Sequence, residues 1–306
     1  MEKNILCTTT SFGSSSPEAL ERIKSKGFTP VLNPFKRKLT AGELGTLIND
    51  HKPVGLLAGT EPVPKEVLHG AAAHLRVISR VGVGWDNVDR DSAAGLGIKV
   101  FRTEGVLNDA VAELTLGLML AVLRQIGFHD RLMRSGKWEK RTGSLLKGKN
   151  VGIIGFGSIG RQVGKLCHAF GARIMFTDPV SKSAGWAKGT AKDDLVASAH
   201  IISIHADGNS ALIGPEEIEK CRPGAVLINT ARGGMIDEAA LAEGLASGKI
   251  GGAGLDVFDD EPYAGELTES DLVVLTPHIG SYAREARVAM EKMAVDNLFS
   301  GLGIEG

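Results

Sequence analysis

The last third of this 306-residue chain places an arginine, a glutamate and a histidine each in the loop after a predicted buried strand. These three side chains are Arg232, Glu261 and His278. An arginine can hold and polarise an α-keto acid, an imidazole can deliver a proton to its carbonyl oxygen, and a carboxylate can keep that imidazole charged. The set therefore predicts acid–base chemistry on an α-keto or α-hydroxy acid.

A glycine-rich turn lies upstream of these loops, between a strand core at residues 151–154 and a predicted helix at residues 161–170. It reads Gly155-Phe156-Gly157-Ser158-Ile159-Gly160. Gly155 permits the tight turn, Gly157 lets phosphates approach the backbone, and Gly160 lets helix and strand pack closely. We expect Ser158 and Ile159, at the start of the helix, to help hold a pyrophosphate there.

A carboxylate at the end of the next strand refines this prediction. Asp178 follows Gly155 by 23 positions, and can accept hydrogen bonds from both hydroxyls of an adenosine ribose. It would repel a 2′-phosphate, so it favours NAD over NADP. The alternative interpretation is a structural glycine turn with Asp178 as an ordinary loop acid.

Strands and helices alternate along the chain, which predicts parallel sheets with helices on their faces. The first 102 residues contain five predicted strands, and a second series with six begins at Lys149, as two mononucleotide-binding halves require. An apolar helix is predicted at residues 107–126, and a final helix at residues 282–299 can return to the first domain. We therefore expect an α/β protein with two doubly wound parallel-sheet domains and a cleft between them. The substrate-binding domain, flavodoxin-like and discontinuous, comprises residues 1–102 and 281–306, and the Rossmann NAD-binding domain residues 103–280.

Composition narrows the class of partner. Lys and Arg number 35 against 36 Asp and Glu, giving a net charge of -1, so no global field would draw the protein to nucleic acid or an anionic membrane. We expect no membrane span and no signal peptide. Three scattered cysteines favour reduced thiols in the cytoplasm and show no metal-ligand spacing. The predicted partner is a small anionic 2-hydroxy or 2-keto acid.

The motifs described above resemble those of the D-isomer-specific 2-hydroxyacid dehydrogenases, and the resemblance covers nearly the whole chain. Within that family the chain looks most like the D-3-phosphoglycerate dehydrogenases without a regulatory domain. The likeness rests on the segment from Ser79 to Asp89, on Asn108 with Val111-Ala112-Glu113, on the glycine turn and on the three catalytic loops. The resemblance implies a homodimer built through the cofactor domains, with an arm around Trp138 embracing its partner.

The resemblance also implies roles for individual residues. Arg232, Glu261 and His278 would be the catalytic triad, and Asp256 would bind the nicotinamide carboxamide. Further cofactor contacts would come from His205, Thr230, Ala231 and Gly280. The substrate would be held by Arg80 and by the backbone amides of the glycine loop, at Val81, Gly82, Val83 and Gly84.

Two departures from the family pattern bear on specificity. After the third strand of the cofactor domain the chain reads His205-Ala206-Asp207-Gly208-Asn209, without the proline-containing segment that the family often has. Ala58 stands where phosphoglycerate dehydrogenases tend to carry an arginine, and it cannot bind phosphate. The basic turn Lys36-Arg37-Lys38 could compensate, or could be a solvated loop of the kind charge runs usually form.

The sequence thus predicts an NAD-dependent oxidoreductase that interconverts a small D-2-hydroxy acid and its 2-keto acid, with 3-phosphoglycerate and 3-phosphohydroxypyruvate slightly favoured. Hydroxypyruvate or glyoxylate reduction is the first alternative, and phosphite oxidation remains open. Formate oxidation is disfavoured, because formate enzymes of this fold usually replace Glu261 with an amide. An alternative of another class is an NADH-sensing binding protein of the co-repressor type.

Overall fold

The computed structural model describes residues 3–180, 184–208 and 210–304, which form two compact units. The first unit comprises Met1–Leu107 and Ser281–Gly306, and the second Asn108–Gly280. The junction predicted from the sequence, between residues 102 and 103, lies at the end of a strand, whereas the two compact units meet at the start of the following helix, between residues 107 and 108. Residues 1, 2, 305 and 306, assigned to the first domain from the sequence, lie outside the described residues.

The described residues of the first unit contain a sheet of five parallel strands in the order β2-β1-β3-β4-β5. The strands are β1 (Asn4–Cys7), β2 (Thr29–Leu32), β3 (Gly55–Ala58), β4 (Val77–Arg80) and β5 (Lys99–Arg102). The helices that connect them are α1 (Glu18–Ser25), α2 (Ala41–His51), α3 (Lys65–Ala71) and α4 (Arg90–Gly95).

Local chemistry explains where α2 begins. The Thr40 hydroxyl accepts a hydrogen bond from the Glu43 amide at 3.2 Å, and the Glu43 carboxylate accepts one from the Thr40 amide at 2.9 Å. This reciprocal capping satisfies two amides that a helix start leaves open. The following strand β3 and its neighbour β4 are buried throughout, so they form the centre of the sheet.

The described residues of the second unit contain a sheet of seven parallel strands in the order β12-β11-β10-β9-β6-β7-β8. The strands are β6 (Asn150–Ile154), β7 (Arg173–Thr177), β8 (Ala187–Gly189), β9 (Ile201–Ile204), β10 (Ala225–Asn229), β11 (Ile250–Leu255) and β12 (Val273–Leu275). The helices are α5 (Asn108–Leu123), α6 (Ile126–Arg134), α7 (Ser158–Ala169), α8 (Lys192–Ser198), α9 (Pro215–Lys220) and α10 (Glu238–Ala246), with a 3-10 turn at Glu266–Glu269. The chain then returns to the first unit as α11 (Arg284–Leu302).

The fold class predicted from the sequence is confirmed, with two corrections to its elements. The second sheet has a further edge strand, β8, whose three residues pair with β7 but carry no β-branched side chain that would mark a strand. The predicted continuous helix at residues 107–126 ends at Leu123, because Gln125 adopts a left-handed backbone with a φ of 52° before α6 begins.

Helix α5 is the most apolar of the long helices, so its length and composition bear on the membrane prediction. In the described part of the chain no single helix is both long and apolar enough to cross a bilayer. Helices α5 and α6 reach that length and hydrophobicity only together, as a pair bent by 66°. Helix α5 packs Leu118, Met119 and Val122 into the core under the glycine turn.

Candidate active site

The three catalytic candidates lie at one edge of the second sheet. Arg232 follows β10, Glu261 follows β11 and His278 follows β12, and these strands are immediate neighbours in the order β12-β11-β10. Because parallel strands present their carboxyl ends at the same edge, the topology brings the three loops together.

His278 and Glu261 form a direct pair. The Nδ1 atom of His278 lies 3.0 and 2.9 Å from the two carboxylate oxygens of Glu261. The His278 side chain is 43% exposed and that of Glu261 31%, so the pair faces solvent on one side and can meet a ligand. With Nδ1 directed at the carboxylate, Nε2 is the ring atom that remains for proton transfer.

The loop that carries His278 is held from below by Asp256. This carboxylate, at 1% exposure, accepts hydrogen bonds from the amides of Ile279 and Gly280 at 2.8 Å each and from the hydroxyl of Thr276 at 2.5 Å. Burial raises the pKa of Asp256, while the bonds from Thr276, Ile279 and Gly280 lower it. These bonds fix the residues on both sides of His278, whose φ of 53° is an uncommon backbone conformation outside glycine.

The loop that carries Arg232 is fixed by its own backbone contacts. The side chain of Asn229 donates to the Arg232 carbonyl at 2.8 Å and accepts from the Ala231 amide at 3.1 Å. A Cβ at Gly233 would lie 2.0 Å from the carbonyl oxygen of Phe258, so only glycine lets this loop pack against the loop that leads to Glu261. The guanidinium of Arg232 donates to the Ala231 carbonyl at 2.7 Å.

The glycine turn has the shape that a dinucleotide requires. Gly155 has a φ of 89°, and a Cβ there would lie 2.5 Å from the backbone of His205 and Ala206. A Cβ at Gly160 would lie 2.1 Å from the Gly155 carbonyl, whereas at Gly157 the space within 4 Å holds no described atom. The α7 amides start at Ser158 without a side-chain cap among the described residues. The turn therefore leaves backbone donors open to a phosphate group.

Asp178 lies beside this turn. Its carboxylate accepts hydrogen bonds from the amides of Phe156 at 2.6 Å and Val180 at 2.8 Å. These bonds place the acid at the end of β7, next to the first glycine of the turn, which is the position predicted for a residue that binds the adenosine ribose. The residues at this edge thus fit a dinucleotide whose ribose carries free hydroxyls.

Two other predicted cofactor residues have internal partners. His205 Nε2 lies 2.8 Å from the Ser203 hydroxyl, and burial lowers the pKa of His205 to about 3. The Thr230 hydroxyl pairs with that of Thr115 at 2.8 Å, and Thr115 in turn donates to a carbonyl of its own helix. Both side chains are therefore engaged within the protein. Asn209, part of the segment after His205 that departs from the family pattern, lies outside the described residues.

The glycine loop of the first unit has fewer open amides than the sequence suggested. The Val81 amide donates to the Ala58 carbonyl at 2.9 Å, and the Gly82 amide donates to the Thr103 hydroxyl at 2.9 Å. Among the residues the structure describes, the amides of Val83 and Gly84 have no internal acceptor. Of the four predicted donors to the substrate carboxylate, Val83 and Gly84 are therefore the two whose amides are not already used inside the protein.

The basic groups near this unit's sheet have distinct environments. Arg80 is 9% exposed and donates to the carbonyl of Val81. Arg37 forms a double hydrogen bond with Glu43 at 2.6 and 3.0 Å, and this contact, aided by the Thr40 amide, lowers the pKa of Glu43 to about 2. Its guanidinium is thus committed to the start of α2, while Lys36 and Lys38 are exposed.

Sequence reasoning missed Thr103 and Glu61. Thr103 is fully buried and exchanges two hydrogen bonds with Gly82, one through its side chain and one from its own amide at 3.1 Å. Glu61 is buried at 1% exposure after β3. A glutamate within an otherwise apolar stretch was a visible signal for Glu61, whereas no local pattern marked Thr103.

Comparison with known proteins identifies the family. Residues 116–280 match the model of the D-isomer-specific 2-hydroxyacid dehydrogenase NAD-binding domain. The chain is 41% identical to a hydroxypyruvate reductase of Thermotoga maritima over 244 residues, 76% of this chain and 80% of that protein. It is 35% identical to a D-3-phosphoglycerate dehydrogenase of Archaeoglobus fulgidus over 294 residues, 92% of this chain and 55% of that protein.

Similarity of structure extends over the whole chain. The crystal structure of the TT0316 protein from Thermus thermophilus superimposes with a TM-score of 0.90 at 35% identity, covering 99% of this chain and 98% of that one. The candidate loops, the glycine turn and these matches lead to one conclusion. The chain belongs to the D-isomer-specific 2-hydroxyacid dehydrogenase family, NAD-dependent oxidoreductases that interconvert 2-hydroxy acids and 2-keto acids.

Proposed function

We propose that this protein reduces small 2-keto acids of the glyoxylate and hydroxypyruvate class, with Arg232, Glu261 and His278 as its catalytic residues. The observation that carries the assignment is the pairing of His278 Nδ1 with both carboxylate oxygens of Glu261, at 3.0 and 2.9 Å. A carboxylate in this position stabilises the imidazolium and orients the ring, which is what a general acid for a keto group requires.

In reduction, His278 donates its Nε2 proton to the carbonyl oxygen of the substrate and becomes neutral. Glu261 remains ionised and holds the ring through Nδ1. In oxidation the neutral His278 takes the proton from the hydroxyl group. The proton is thus exchanged between the imidazole and the substrate oxygen, and solvent restores the ring to its starting state.

Arg232 binds the substrate carboxylate and polarises the keto group, because a planar guanidinium presents two parallel donors. By the family resemblance the glycine loop of the first unit would also bind substrate, with the amides of Val83 and Gly84 as its donors. Arg80 stays a predicted substrate residue, and its guanidinium lies at this loop, where it donates to the Val81 carbonyl.

The hydride that reduces C2 would come from NADH when this cofactor is bound. Gly155, Gly157 and Gly160 would bind its pyrophosphate together with the amides of Ser158 and Ile159, and Asp178 would bind the adenosine ribose. The remaining predicted contacts are His205, Thr230, Ala231, Asp256 and Gly280. Since the side-chain oxygens of Thr230 and Asp256 have internal partners, Thr230 would act through its backbone, and Asp256 also positions the loop of His278.

Two features favour an unphosphorylated substrate. Ala58 supplies no cation at the end of β3, and Arg37 is paired with Glu43. The Thermotoga maritima relative is named a hydroxypyruvate reductase, in agreement with this choice. The second candidate is 3-phosphohydroxypyruvate, favoured by the exposed Lys36 and Lys38.

A substrate panel with NADH tests the proposal. Glyoxylate, hydroxypyruvate, pyruvate and 3-phosphohydroxypyruvate are compared by kcat/KM from the loss of NADH absorbance. We expect the highest values for glyoxylate or hydroxypyruvate. A clear preference for 3-phosphohydroxypyruvate would move the assignment to the second candidate, and the absence of turnover with every member would contradict the reductase assignment.

We also propose a homodimer through the second unit. Apolar side chains in and after α6 are strongly exposed: Met133 is 55% exposed, Trp138 76% and Leu145 68%. Large apolar side chains exposed to this degree favour coverage by a partner, and the resemblance to the family makes a second copy the proposed occupant. Light scattering should give the mass of a dimer, and Trp138→Asp combined with Leu145→Asp should shift it to the monomer.

A further inference from the structure

The side chain of Glu238 connects two loops of the second unit, the loop that carries Arg232 and the loop that carries Glu261. Glu238 is the first residue of α10, which begins where the Arg232 loop ends. Its carboxylate oxygen Oε1 accepts a hydrogen bond from the amide of Asp259 at 2.9 Å. Asp259 belongs to the segment between β11 and Glu261. Glu238 therefore holds the backbone of the Glu261 loop from a neighbouring element.

The amide before Asp259 acts on Glu261 itself. The Phe258 amide donates to Glu261 Oε1 at 3.3 Å, and this is one of the two oxygens that face Nδ1 of His278. Two consecutive amides of the turn are thus bound by two different carboxylates. Because only the two dihedral angles of Phe258 separate these amides, fixing the second restricts the direction of the first.

Other contacts of this turn act on Phe258. Its ring stacks on that of Tyr263 with the centroids 4.4 Å apart, and a Cβ at Gly233 would lie 2.0 Å from its carbonyl oxygen. For the two residues that follow Phe258, the described structure contains one hydrogen bond to another element, and Glu238 is its acceptor. Loss of this acceptor would free the segment that leads directly to Glu261.

The position of Glu238 is unfavourable for a carboxylate. Burial raises the pKa of Glu238, and the neighbouring acids Asp259, Asp260 and Asp237 raise it further, whereas the hydrogen bond from the Asp259 amide lowers it. Like charges in this arrangement reduce the stability of the ionised form. A residue kept in place at such a cost is more typical of a functional site than of a solvated surface.

We infer that Glu238 is a positioning residue for proton transfer, which keeps the Glu261 carboxylate aligned with Nδ1 of His278 by holding the turn before it. Small displacements of a catalytic group slow a reaction strongly, because the productive geometry tolerates only a fraction of an ångström. Glu238 acts through Glu261, so its loss lowers kcat more than it raises KM. The inference rests on the proposed catalytic roles of Glu261 and His278 and adds the residue that orients this pair.

Two variants of Glu238 separate its reach from its charge. Glu238→Asp keeps a negative charge in the first turn of α10, where an acid stabilises the helix, but shortens the side chain and withdraws its oxygen from the Asp259 amide. Glu238→Gln removes the charge and keeps an acceptor oxygen in the same place. The matched control is Asp237→Ala, which removes an acid from the same helix start, where its carboxylate accepts from the Ala240 amide at 2.9 Å.

Steady-state kinetics with the best 2-keto acid and saturating NADH gives kcat and KM for each variant, and urea unfolding shows that each is folded. We expect Glu238→Asp to lower kcat by roughly fivefold or more, with KM within about twofold of wild type. Glu238→Gln should restore kcat to within about twofold of wild type. Asp237→Ala should lie in the same range, although the lost cap reduces helix stability.

A double-mutant cycle tests whether Glu238 acts through Glu261. In Glu261→Ala no carboxylate is left to align, so adding Glu238→Asp should change kcat by less than about twofold. A loss as large as that in the wild-type background would make Glu238 a structural residue and overturn the inference. If Glu261→Ala turns over too slowly for the cycle, the contrast between the Asp and Gln variants decides.

Three other outcomes also overturn the inference: an unchanged kcat in Glu238→Asp, a Gln variant as slow as the Asp variant, and an equal loss in Asp237→Ala. Should Glu238→Asp not fold, Glu238→Ser takes its place with the same expected loss of kcat. Failure of the proposed function appears separately, as wild type that reduces no 2-keto acid or as Glu261→Ala with the kcat of wild type.

Discussion

The Nδ1 atom of His278 faces both oxygens of Glu261, at 3.0 and 2.9 Å, although the two residues are 17 positions apart on loops after different strands. The pair is partly exposed, so a substrate can reach Nε2 of the ring while the carboxylate holds Nδ1. This relationship leads directly to a prediction about Glu261.

Replacing Glu261 with glutamine should slow keto-acid reduction. Without the carboxylate, the imidazolium that donates the proton loses its neighbouring negative charge, and the ring of His278 loses the partner that orients it through Nδ1. We expect kcat to fall by roughly tenfold or more, with a smaller change in KM. Steady-state kinetics measures both constants, with His278→Ala as the control that loses most turnover while still binding NADH. A kcat for Glu261→Gln equal to that of wild type would assign Glu261 another role.

Arg232→Lys should raise KM and lower kcat together. Lysine offers a point charge in place of a planar fork, so both the holding of the carboxylate and the polarisation of the keto group weaken. Steady-state kinetics with the best keto acid measures the two constants. A change confined to KM would make Arg232 a binding residue only.

The buried hydrogen-bond pair between Thr103 and Gly82 should control substrate affinity. Thr103→Val removes the acceptor at 2.9 Å from the Gly82 amide and loosens the loop that presents Val83 and Gly84. We expect KM to rise several-fold with a smaller change in kcat, and the unpaired amide to cost about 1 to 3 kcal/mol of stability. Thr103→Ser keeps the oxygen and should restore the wild-type KM. Equal KM values for the Val and Ser variants would show that this hydrogen bond does not position the loop.

Asp178 should make NAD the preferred cofactor. A 2′-phosphate close to its carboxylate would meet a like charge, which costs on the order of 2 to 3 kcal/mol, or roughly thirty- to a hundredfold in binding. The comparison of kcat/KM for NADH and NADPH measures this preference, and Asp178→Asn should reduce it. Equal efficiency with both cofactors in the wild type would contradict the assignment.

His205 should make folding stability fall in acid. Burial lowers its pKa to about 3 in the folded state, whereas the unfolded residue takes up a proton near its ordinary value of 6.5. The contribution of neutral His205 to the free energy of unfolding is therefore complete above pH 6.5. Below that pH it declines by about 1.4 kcal/mol per pH unit, and it is lost once the pH falls through the pKa of the folded state. Urea unfolding from pH 7.5 to pH 4.5 measures this slope, which should be flatter in His205→Gln. The matched control is His69→Gln, which replaces an exposed histidine. If His205→Gln had the same slope as wild type, the prediction would be refuted.

The fold class could be predicted because strand–helix alternation is a local pattern. The position of Arg232, Glu261 and His278 in loops at one sheet edge could be predicted because each residue follows a buried strand. Sequence reasoning missed β8, whose residues carry no strand signal, and the break in the α5 region, where Gln125 turns left-handed. The hydrogen bond between Gly82 and Thr103 could not be predicted either, because it joins positions 21 apart that meet only when β4 and β5 pair. The roles of the individual site residues stay predictions until the variants are measured.

The left-handed backbone of His278 has a consequence for protein design. A non-glycine residue in that conformation costs about 1 to 2 kcal/mol, so a histidine and a glutamate copied alone onto another scaffold would relax away from their geometry. The smallest graft that preserves the pair also includes the buried Asp256, with the Thr276 hydroxyl and the two amides that it holds. Transplanting this acid–base group therefore means transplanting the ends of two adjacent strands.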